Sequence, residues 1–139
     1  MNKNLPLPDD WKRLVKAASE VRCRAYAPYS SYTVGAALRT ADGRVFTGCN
    51  VENASYGLTI CAERVAMCSA VAAGASQPLV ICVTVTGPPA LCGSCRQFLN
   101  EFNPDLCILL DDSTTDCPPE YMVLKDLLPH AFFLKPAGH

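Results

Sequence analysis

The sequence lacks an excess of either charge, since 12 Lys and Arg residues stand against 13 Asp and Glu residues and the formal net charge is −1. Proteins that bind nucleic acid chiefly through phosphate charge carry a marked basic excess, which disfavours that class here. No apolar run approaches the roughly 20 residues that a membrane-spanning helix needs. The opening MNKNLPLPDD has no apolar segment typical of a secretory signal. We therefore expect a cytoplasmic protein that binds neither nucleic acid nor membrane.

Internal repeats, low-complexity tracts and Gly/Ser-rich linkers are also absent, so nothing in the sequence marks a domain boundary. A length of 139 residues suits one domain. Because 50% of the residues are apolar, the chain can bury a core. These features predict a single domain over 1–139, with loose termini at 1–8 and 134–139.

Cysteine, in contrast, is abundant: the chain has nine, which cannot all pair. In a reducing compartment, a cysteine is a small buried apolar residue, a metal ligand or a nucleophile. Six of the nine have no partner at ligand spacing, and most of these lie in apolar runs, which predicts buried thiols. The six are Cys23, Cys49, Cys68, Cys82, Cys107 and Cys117.

Hydrophobic periodicity predicts three helices. The first begins at Asp9 or Asp10, with this acidic pair as its N-cap, and ends before Pro28. The second is Ala-rich over about 61–73, and a shorter third helix covers about 92–101.

Strand-like runs alternate with these helices. Two of them flank an Asp42-Gly43 turn and predict a hairpin, and two later apolar runs predict strands buried on both faces. Together these elements predict an α/β fold: a three-layer α/β/α sandwich with a mixed central sheet, in which an N-terminal helix and a hairpin precede βαβ-type units and the later strands run parallel. The predicted strands are 33–38, 45–49, 79–86 and 106–110, with a possible fifth at 121–123.

A CxxC motif, Cys92-Gly93-Ser94-Cys95, begins the third predicted helix. Alone it can ligate zinc, form a redox pair or occur by chance. A redox pair is expected after the first strand of a thioredoxin-like unit, whereas this motif follows the third strand-like run. A structural zinc site of four cysteines usually needs a second CxxC, which the sequence lacks. Cys61, at the start of the preceding helix, offers a third thiolate instead.

Three thiolates, from Cys61, Cys92 and Cys95, would leave the fourth position of a zinc ion open to water, as in catalytic sites. Glu63 stands two residues after Cys61, where its carboxylate can exchange protons with that water without being a ligand. The N-termini of both helices and the neighbouring Arg64 can offset the negative charge of the thiolates. The pattern therefore predicts a catalytic zinc centre.

These residues resemble the zinc-deaminase signature, in which a glutamate lies two positions after the first ligand and a CxxC supplies the other two. The similarity extends over roughly 9–133 and is to the small cytidine deaminases. It includes Ala27-Pro28-Tyr29-Ser30, Val34-Gly35-Ala36-Ala37-Leu38, the stretches 48–56, 61–64 and 92–97, and Leu127-Leu128-Pro129.

The resemblance implies hydrolytic deamination of cytidine and deoxycytidine to uridine and deoxyuridine with release of ammonia, as in pyrimidine salvage. It implies one zinc ion per subunit on the three cysteines, Glu63 as the catalytic proton carrier and Arg64 as a donor to a thiolate. It also implies a homotetramer in which Phe132 reaches a neighbouring subunit's site, and Asn50 and Glu52 as the pair that holds the ribose. The full set of implied substrate-binding residues is Asn50, Glu52, Tyr32, Ala62, Tyr56 and Phe132.

Two positions depart from the family's usual pattern. Leu91 stands before the CxxC in place of proline, and this change is expected to loosen the start of the third helix. Tyr32 stands where phenylalanine is usual, so a hydroxyl is added beside the ribose or the base. Neither departure removes a group that carries chemistry.

Two other functions compete with this interpretation. The first is deamination of cytosine in a polynucleotide or in an antibiotic; a polynucleotide enzyme needs a basic groove and stacking surfaces, for which a net charge of −1 offers little. The second is a non-catalytic zinc module that binds a protein partner, which an open three-ligand site beside Glu63 disfavours.

Overall fold

The computed structural model describes residues 8–137, and a five-stranded mixed sheet with helices on both faces forms its centre. The helices and strands follow in the order that the sequence predicts. They are α1 (Asp9–Arg22), β1 (Gly35–Thr40), β2 (Val45–Cys49), α2 (Ala62–Ala72), β3 (Pro78–Val85), α3 (Gly93–Asn100), β4 (Cys107–Asp112) and β5 (Glu120–Val123), with short 3-10 helices at Tyr56–Leu58 and Leu124–Leu127.

The strands lie in the order β2-β1-β3-β4-β5. Only β3 and β4 run parallel within this sheet of the described residues, and the other neighbours are antiparallel. The prediction that the later strands run parallel is therefore right for β3 and β4 and wrong for β5. The connection at 113–119 is shorter than the dozen or more residues that a parallel crossover needs, so β5 returns antiparallel to β4.

Side chains alternate between two cores, one on each face of the sheet. On β1, Ala36 and Leu38 pack with α2 and α3, whereas Ala37 packs on the other face with Leu14 and Ala18 of α1. The same alternation continues on β3. The apolar runs of the central strands are continuous because both of their faces are covered. The predicted three-layer α/β/α sandwich is confirmed.

The first helix differs from its prediction at both ends. Its N-cap residue is Pro8, and Asp9 and Asp10 form the first turn instead of supplying the cap. The helix ends at Arg22, six residues before Pro28, because Tyr26 pairs with another segment. The Tyr26 backbone N–H donates to the Asn50 carbonyl at 3.0 Å, and the Tyr26 carbonyl accepts from the Glu52 backbone N–H at 2.8 Å.

The predicted loose termini fall largely on residues 1–7 and 138–139, which lie outside the described residues. Within the described range, the Pro8 carbonyl accepts hydrogen bonds from Trp11 and Lys12, and 134–137 have no regular secondary structure. Among the described residues, no helix combines the length and the apolar character needed to cross a bilayer.

Four connections leave the sheet at one edge. The register pairs Gly35, at the start of β1, with Cys49 at the end of β2 and with Thr84 near the end of β3. The ends of β3 and β4 pair in turn through Val85 and Asp112. The loops at 23–34, 50–61, 86–92 and 113–119 therefore lie together. The singled-out residues in these loops are Tyr32, Asn50, Glu52, Tyr56, Cys61 and Cys92, whereas Ala62, Glu63, Arg64 and Cys95 follow in α2 and α3.

Gly48 allows α2 to lie directly on β2. A Cβ at this position would be 2.5 Å from the Ala62 carbonyl oxygen and 2.5 Å from the Ala66 nitrogen. The first turns of α2 thus pack against backbone, and this contact sets the height of Cys61 and Glu63 above the sheet.

We predict that Gly48→Ala lowers the free energy of unfolding by about 2 kcal/mol or more, because backbone atoms cannot move aside as a side chain would. Denaturant unfolding measures this loss. Gly57→Ala is the control, since nothing lies within 4 Å of its added Cβ. Equal stability of the two variants would contradict the proposed close packing of α2.

Candidate metal centre and the loop beside it

The three cysteines predicted as ligands converge. Their Sγ atoms lie within 4.8 Å of one another, and the Sγ atoms of Cys61 and Cys92 are 3.8 Å apart. Tetrahedral zinc with Zn–S bonds of about 2.3 Å separates its sulfur ligands by about 3.8 Å. Because the spacing and the soft sulfur donors both match zinc, the residues present fit this metal.

Two helices begin at these ligands. Cys61 is the N-cap residue of α2 and Cys92 is the N-cap residue of α3, where its Sγ accepts from the Cys95 backbone N–H at 3.4 Å. Helix N-termini carry a partial positive charge, which stabilises thiolates. The folding of two separate helices therefore both gathers the sulfur atoms and favours their charged form.

Arg64 adds a full positive charge beside this cluster. Its Nη2 lies 3.7 Å from the Cys61 Sγ and donates to the Thr59 carbonyl at 3.3 Å. The pKa of the Cys61 thiol is lowered to about 5, first by its hydrogen bond with Cys95 and then by Arg64 and Cys92. Cys61 is thus prepared to carry negative charge, as a zinc ligand requires, whereas the hydrogen bond with Cys61 and burial raise the pKa of the Cys95 thiol.

Glu63 occupies the first turn of α2 and is only 4% exposed. Burial, helped by the nearby charge of Cys61, raises the pKa of its carboxyl group to about 7 against a hydrogen bond with Cys95 that lowers it. A carboxyl group with a pKa near neutrality can both accept and release a proton. The role of Glu63 as a proton carrier stays a prediction, and its burial and raised pKa are compatible with it.

Asn50 holds the segment that carries Tyr32. Its Oδ1 accepts from the Val34 backbone N–H and its Nδ2 donates to the Tyr32 carbonyl, both at 2.8 Å. The Asn50 side chain is 7% exposed. Since an amide nitrogen has two N–H groups, one N–H of Asn50 is not used by the contact with Tyr32.

Glu52 holds the preceding part of the same loop. Its Oε1 accepts from the backbone N–H groups of Tyr29 at 3.0 Å and Ser30 at 3.1 Å, and its Oε2 accepts from the Ser30 hydroxyl. These bonds, with the Ser30 hydroxyl first, lower the pKa of Glu52. Ser31 next to them has a left-handed backbone, with a φ of 58°. Asn50 and Glu52 thus hold the loop 27–34 in place through hydrogen bonds.

The other residues implied for substrate binding differ in their exposure to solvent. Tyr32 is 47% exposed, and partial burial, followed by the charge of Glu63, raises the pKa of its phenol. Ala62 is fully buried between Cys61 and Glu63. Tyr56 is exposed on its 3-10 helix, and Phe132 is 67% exposed, with its carbonyl held by Gln97 Nε2 at 3.1 Å.

The start of α3 is firmly held, contrary to the expectation from Leu91. The Leu91 side chain is 3% exposed in the core beneath α2 and α3, and its carbonyl accepts from Arg96 Nε at 3.0 Å. Sequence reasoning gave no role to Arg96, Gln97 or Ser30. Their only signal was membership of the stretches 27–30 and 92–97, because a bond from a side chain to a distant carbonyl leaves no sequence pattern.

The prediction that the remaining six cysteines are buried is right for Cys82 and wrong for three others. Cys82 is buried, whereas Cys49 and Cys107 are partly exposed. Cys23, Cys68 and Cys117 are exposed, because they lie at the end of α1, on the outer side of α2 and in the loop at 113–119.

Comparisons with known proteins agree with this site. Residues 8–110 match the family model of the "Cytidine and deoxycytidylate deaminase zinc-binding region". The chain is 44% identical over 131 residues to a cytidine deaminase from Mycobacterium tuberculosis, covering 92% of this chain and 94% of that one. It is 42% identical over 126 residues to one from Halalkalibacterium halodurans, covering 88% and 94%. The crystal structure of a cytidine deaminase from Burkholderia pseudomallei superimposes with a TM-score of 0.82 at 48% identity, covering 87% of this chain and 98% of that one.

We predict that acid weakens the contribution of Glu52 to stability. The folded protein favours its carboxylate, so the loop contacts stabilise the fold fully above the ordinary glutamate pKa of about 4.3 and progressively less as the pH falls through the lowered value. Glu52→Gln removes the charge at every pH. The difference in free energy of unfolding between wild type and Glu52→Gln should therefore shrink below about pH 4.

Urea unfolding of both proteins between about pH 3 and pH 7 measures this difference. Glu101→Gln, at an exposed position after α3, is the control and should show a small difference at every pH. A gap between wild type and Glu52→Gln that stays constant across the range would contradict the prediction.

Proposed function

The chain belongs to the cytidine and deoxycytidylate deaminase family, and from this premise we propose that it hydrolyses cytidine and deoxycytidine to uridine and deoxyuridine, releasing ammonia. The observation that carries the proposal is the cluster of three thiols beside the buried carboxyl group of Glu63. Hydrolytic deamination needs a nucleophilic water and a group that moves protons, and this arrangement can supply both.

We assign one zinc ion to each chain, held by Cys61, Cys92 and Cys95. When bound, zinc would acidify a water in the fourth coordination position toward a pKa of about 7. Arg64 and the N-termini of α2 and α3 would offset the net negative charge of three thiolates on a divalent cation, which otherwise opposes this acidification.

Glu63 is the catalytic proton carrier in this proposal. Its carboxylate takes a proton from the attacking water and delivers it to N3 of the cytosine ring, so that C4 becomes more electrophilic. After the hydroxyl oxygen has bonded to C4, Glu63 takes the remaining proton of that hydroxyl and passes it to the exocyclic amino group. The C4–N bond then breaks, ammonia leaves, and C4 keeps the oxygen as a carbonyl. Water and cytidine thus yield uridine and ammonia, and Glu63 returns to its initial state.

The nucleoside would bind between Glu63 and the loop 27–34. Asn50 and Glu52 are assigned to the ribose hydroxyls. For this role Asn50 has the N–H group that its contact with Tyr32 does not use. Tyr32, Ala62 and Tyr56 are assigned to the sugar and base, and the hydrogen bond from Asn50 Nδ2 to the Tyr32 carbonyl supports the place of Tyr32 beside Asn50. Buried groups that bond a substrate hydroxyl discriminate strongly against substrates that lack it.

We further propose a cytoplasmic homotetramer that serves pyrimidine salvage. All nine cysteines are free thiols, which suits a reducing compartment. Phe132, Phe133 and Leu134 are each more than 60% exposed, and Phe132 is assigned to the site of a neighbouring subunit. An exposed apolar run of this kind supports burial against a second copy of the chain.

Turnover of free nucleosides distinguishes this proposal from its alternatives. The wild-type protein, with zinc content measured, should lower the ultraviolet absorbance of cytidine and deoxycytidine. Turnover of cytosine in single-stranded DNA but not of nucleosides would favour a polynucleotide enzyme. Bound zinc without turnover of any of these substrates would favour a zinc module that binds a protein partner.

We predict that Glu63→Gln retains zinc and lowers kcat by about 10⁴-fold or more, because one group moves the proton in several steps. The measurement combines the nucleoside assay with metal analysis of the same sample. Glu101→Gln, which changes an exposed glutamate, should turn over cytidine at the wild-type rate. An active, zinc-loaded Glu63→Gln protein would contradict the assignment.

We predict that Phe132 acts in a neighbouring subunit. Phe132→Ala should lower kcat/KM, and mixing it with inactive Glu63→Gln should restore activity, because mixed oligomers combine an intact Glu63 site with an intact Phe132. Phe133→Ala, at an equally exposed neighbour, is the control variant. Activity that stays at the sum of the two separate proteins after subunit exchange would contradict action across subunits.

A further inference from the structure

The stretch 86–92 connects β3 to the metal centre without regular secondary structure. Its described backbone hydrogen bonds to side chains lie near its two ends. The Gly87 N–H donates to Asp112 Oδ1 at 3.0 Å, and the Leu91 carbonyl accepts from Arg96 Nε at 3.0 Å. The second anchor lies directly before Cys92, so it controls how the chain enters the cluster.

Arg96 joins this stretch to the C-terminal part of the fold. Besides Leu91, its guanidinium donates through Nη1 to the Leu127 carbonyl at 3.0 Å. Leu127 ends the 3-10 helix Leu124–Leu127, whose Leu124 belongs to the same core as Leu91. A guanidinium presents its donors in a rigid plane, so the two carbonyls are held in a fixed relation to each other and to α3.

The direction of the Leu91 carbonyl bears on the Cys92 thiol. The peptide unit between Leu91 and Cys92 is planar, so a fixed carbonyl fixes the plane from which the Cys92 side chain leaves. In this arrangement, the Cys92 Sγ lies 3.8 Å from the Cys61 Sγ, which is about the separation of two sulfur ligands on tetrahedral zinc. We propose that Arg96 is a positioning residue that holds Cys92 at its zinc-binding location through the Leu91 carbonyl.

This role differs from that of Arg64, although both are arginines near the cluster. Arg64 contacts the Cys61 sulfur itself and so acts on its charge. Arg96 donates its side-chain hydrogen bonds to backbone carbonyls, and so it acts on geometry. Loss of Arg96 should therefore weaken the retention of zinc and leave the rate per bound zinc near its wild-type value.

The experiment compares the zinc-loaded wild type with Arg96→Met, Arg96→Lys and the control Arg24→Met, which changes an exposed arginine. Zinc affinity is measured by competition with a coloured chelator, and kcat for cytidine is expressed per bound zinc. Arg96→Met should bind zinc about 10-fold more weakly or worse, as is usual when a partner behind a metal ligand is removed. The zinc affinity of Arg96→Lys should lie between those of the wild type and Arg96→Met, since one ammonium cannot hold both carbonyls in the same plane.

The inference rests on the proposed zinc site, and the outcomes separate the two. A wild-type protein that binds no zinc would overturn the proposed function together with the role of Arg96. If the wild type binds zinc but Arg96→Met binds it as tightly as Arg24→Met does, the role of Arg96 alone is overturned. A lower kcat per bound zinc in Arg96→Met at unchanged zinc affinity would overturn that role as well. Where Arg96→Met does not fold, Arg96→Lys decides by the same criteria.

Discussion

The meeting of two helix N-termini at one edge of the sheet is the constraint on which the rest of the structure depends. Each helix begins at a zinc-ligand candidate, Cys61 for α2 and Cys92 for α3, and the sheet order brings their preceding loops together. The absence of a side chain at Gly48 lets α2 lie close to β2, because a Cβ there would meet the backbone of Ala62 and Ala66. The sulfur atom of Cys61 therefore meets the two of the CxxC motif, although the two segments are distant in the chain.

Charge and burial then divide the chemical roles at this edge. The helix N-termini and Arg64 favour thiolates in the cluster, whereas burial raises the pKa of the Glu63 carboxyl group to about 7. Cys61 and Glu63, two residues apart, thus have opposite pKa shifts, which suits the proposed division between a metal ligand and a proton carrier. The loop 27–34, which carries Tyr32, is held by Asn50 and Glu52.

Local features were predictable from the sequence because their causes are local. Asp42-Gly43 predicts the hairpin turn, and Gly43 indeed has a φ of 86°; the spacing of Cys61, Glu63 and the CxxC predicts the cluster that forms. Features that depend on distant partners were not predictable. The early end of α1 results from the pairing of Tyr26 with a later loop, and the firm start of α3 results from a bond between Arg96 and a backbone carbonyl.

The central claim is an open zinc site with three sulfur ligands, and X-ray absorption spectroscopy at the zinc edge of the purified protein tests it most directly. The account predicts one zinc per chain, with three sulfur atoms at about 2.3 Å and one oxygen or nitrogen atom at about 2.0 Å. A shell of four sulfur atoms would make the site closed and structural. That result, or a folded protein without zinc, would contradict the account.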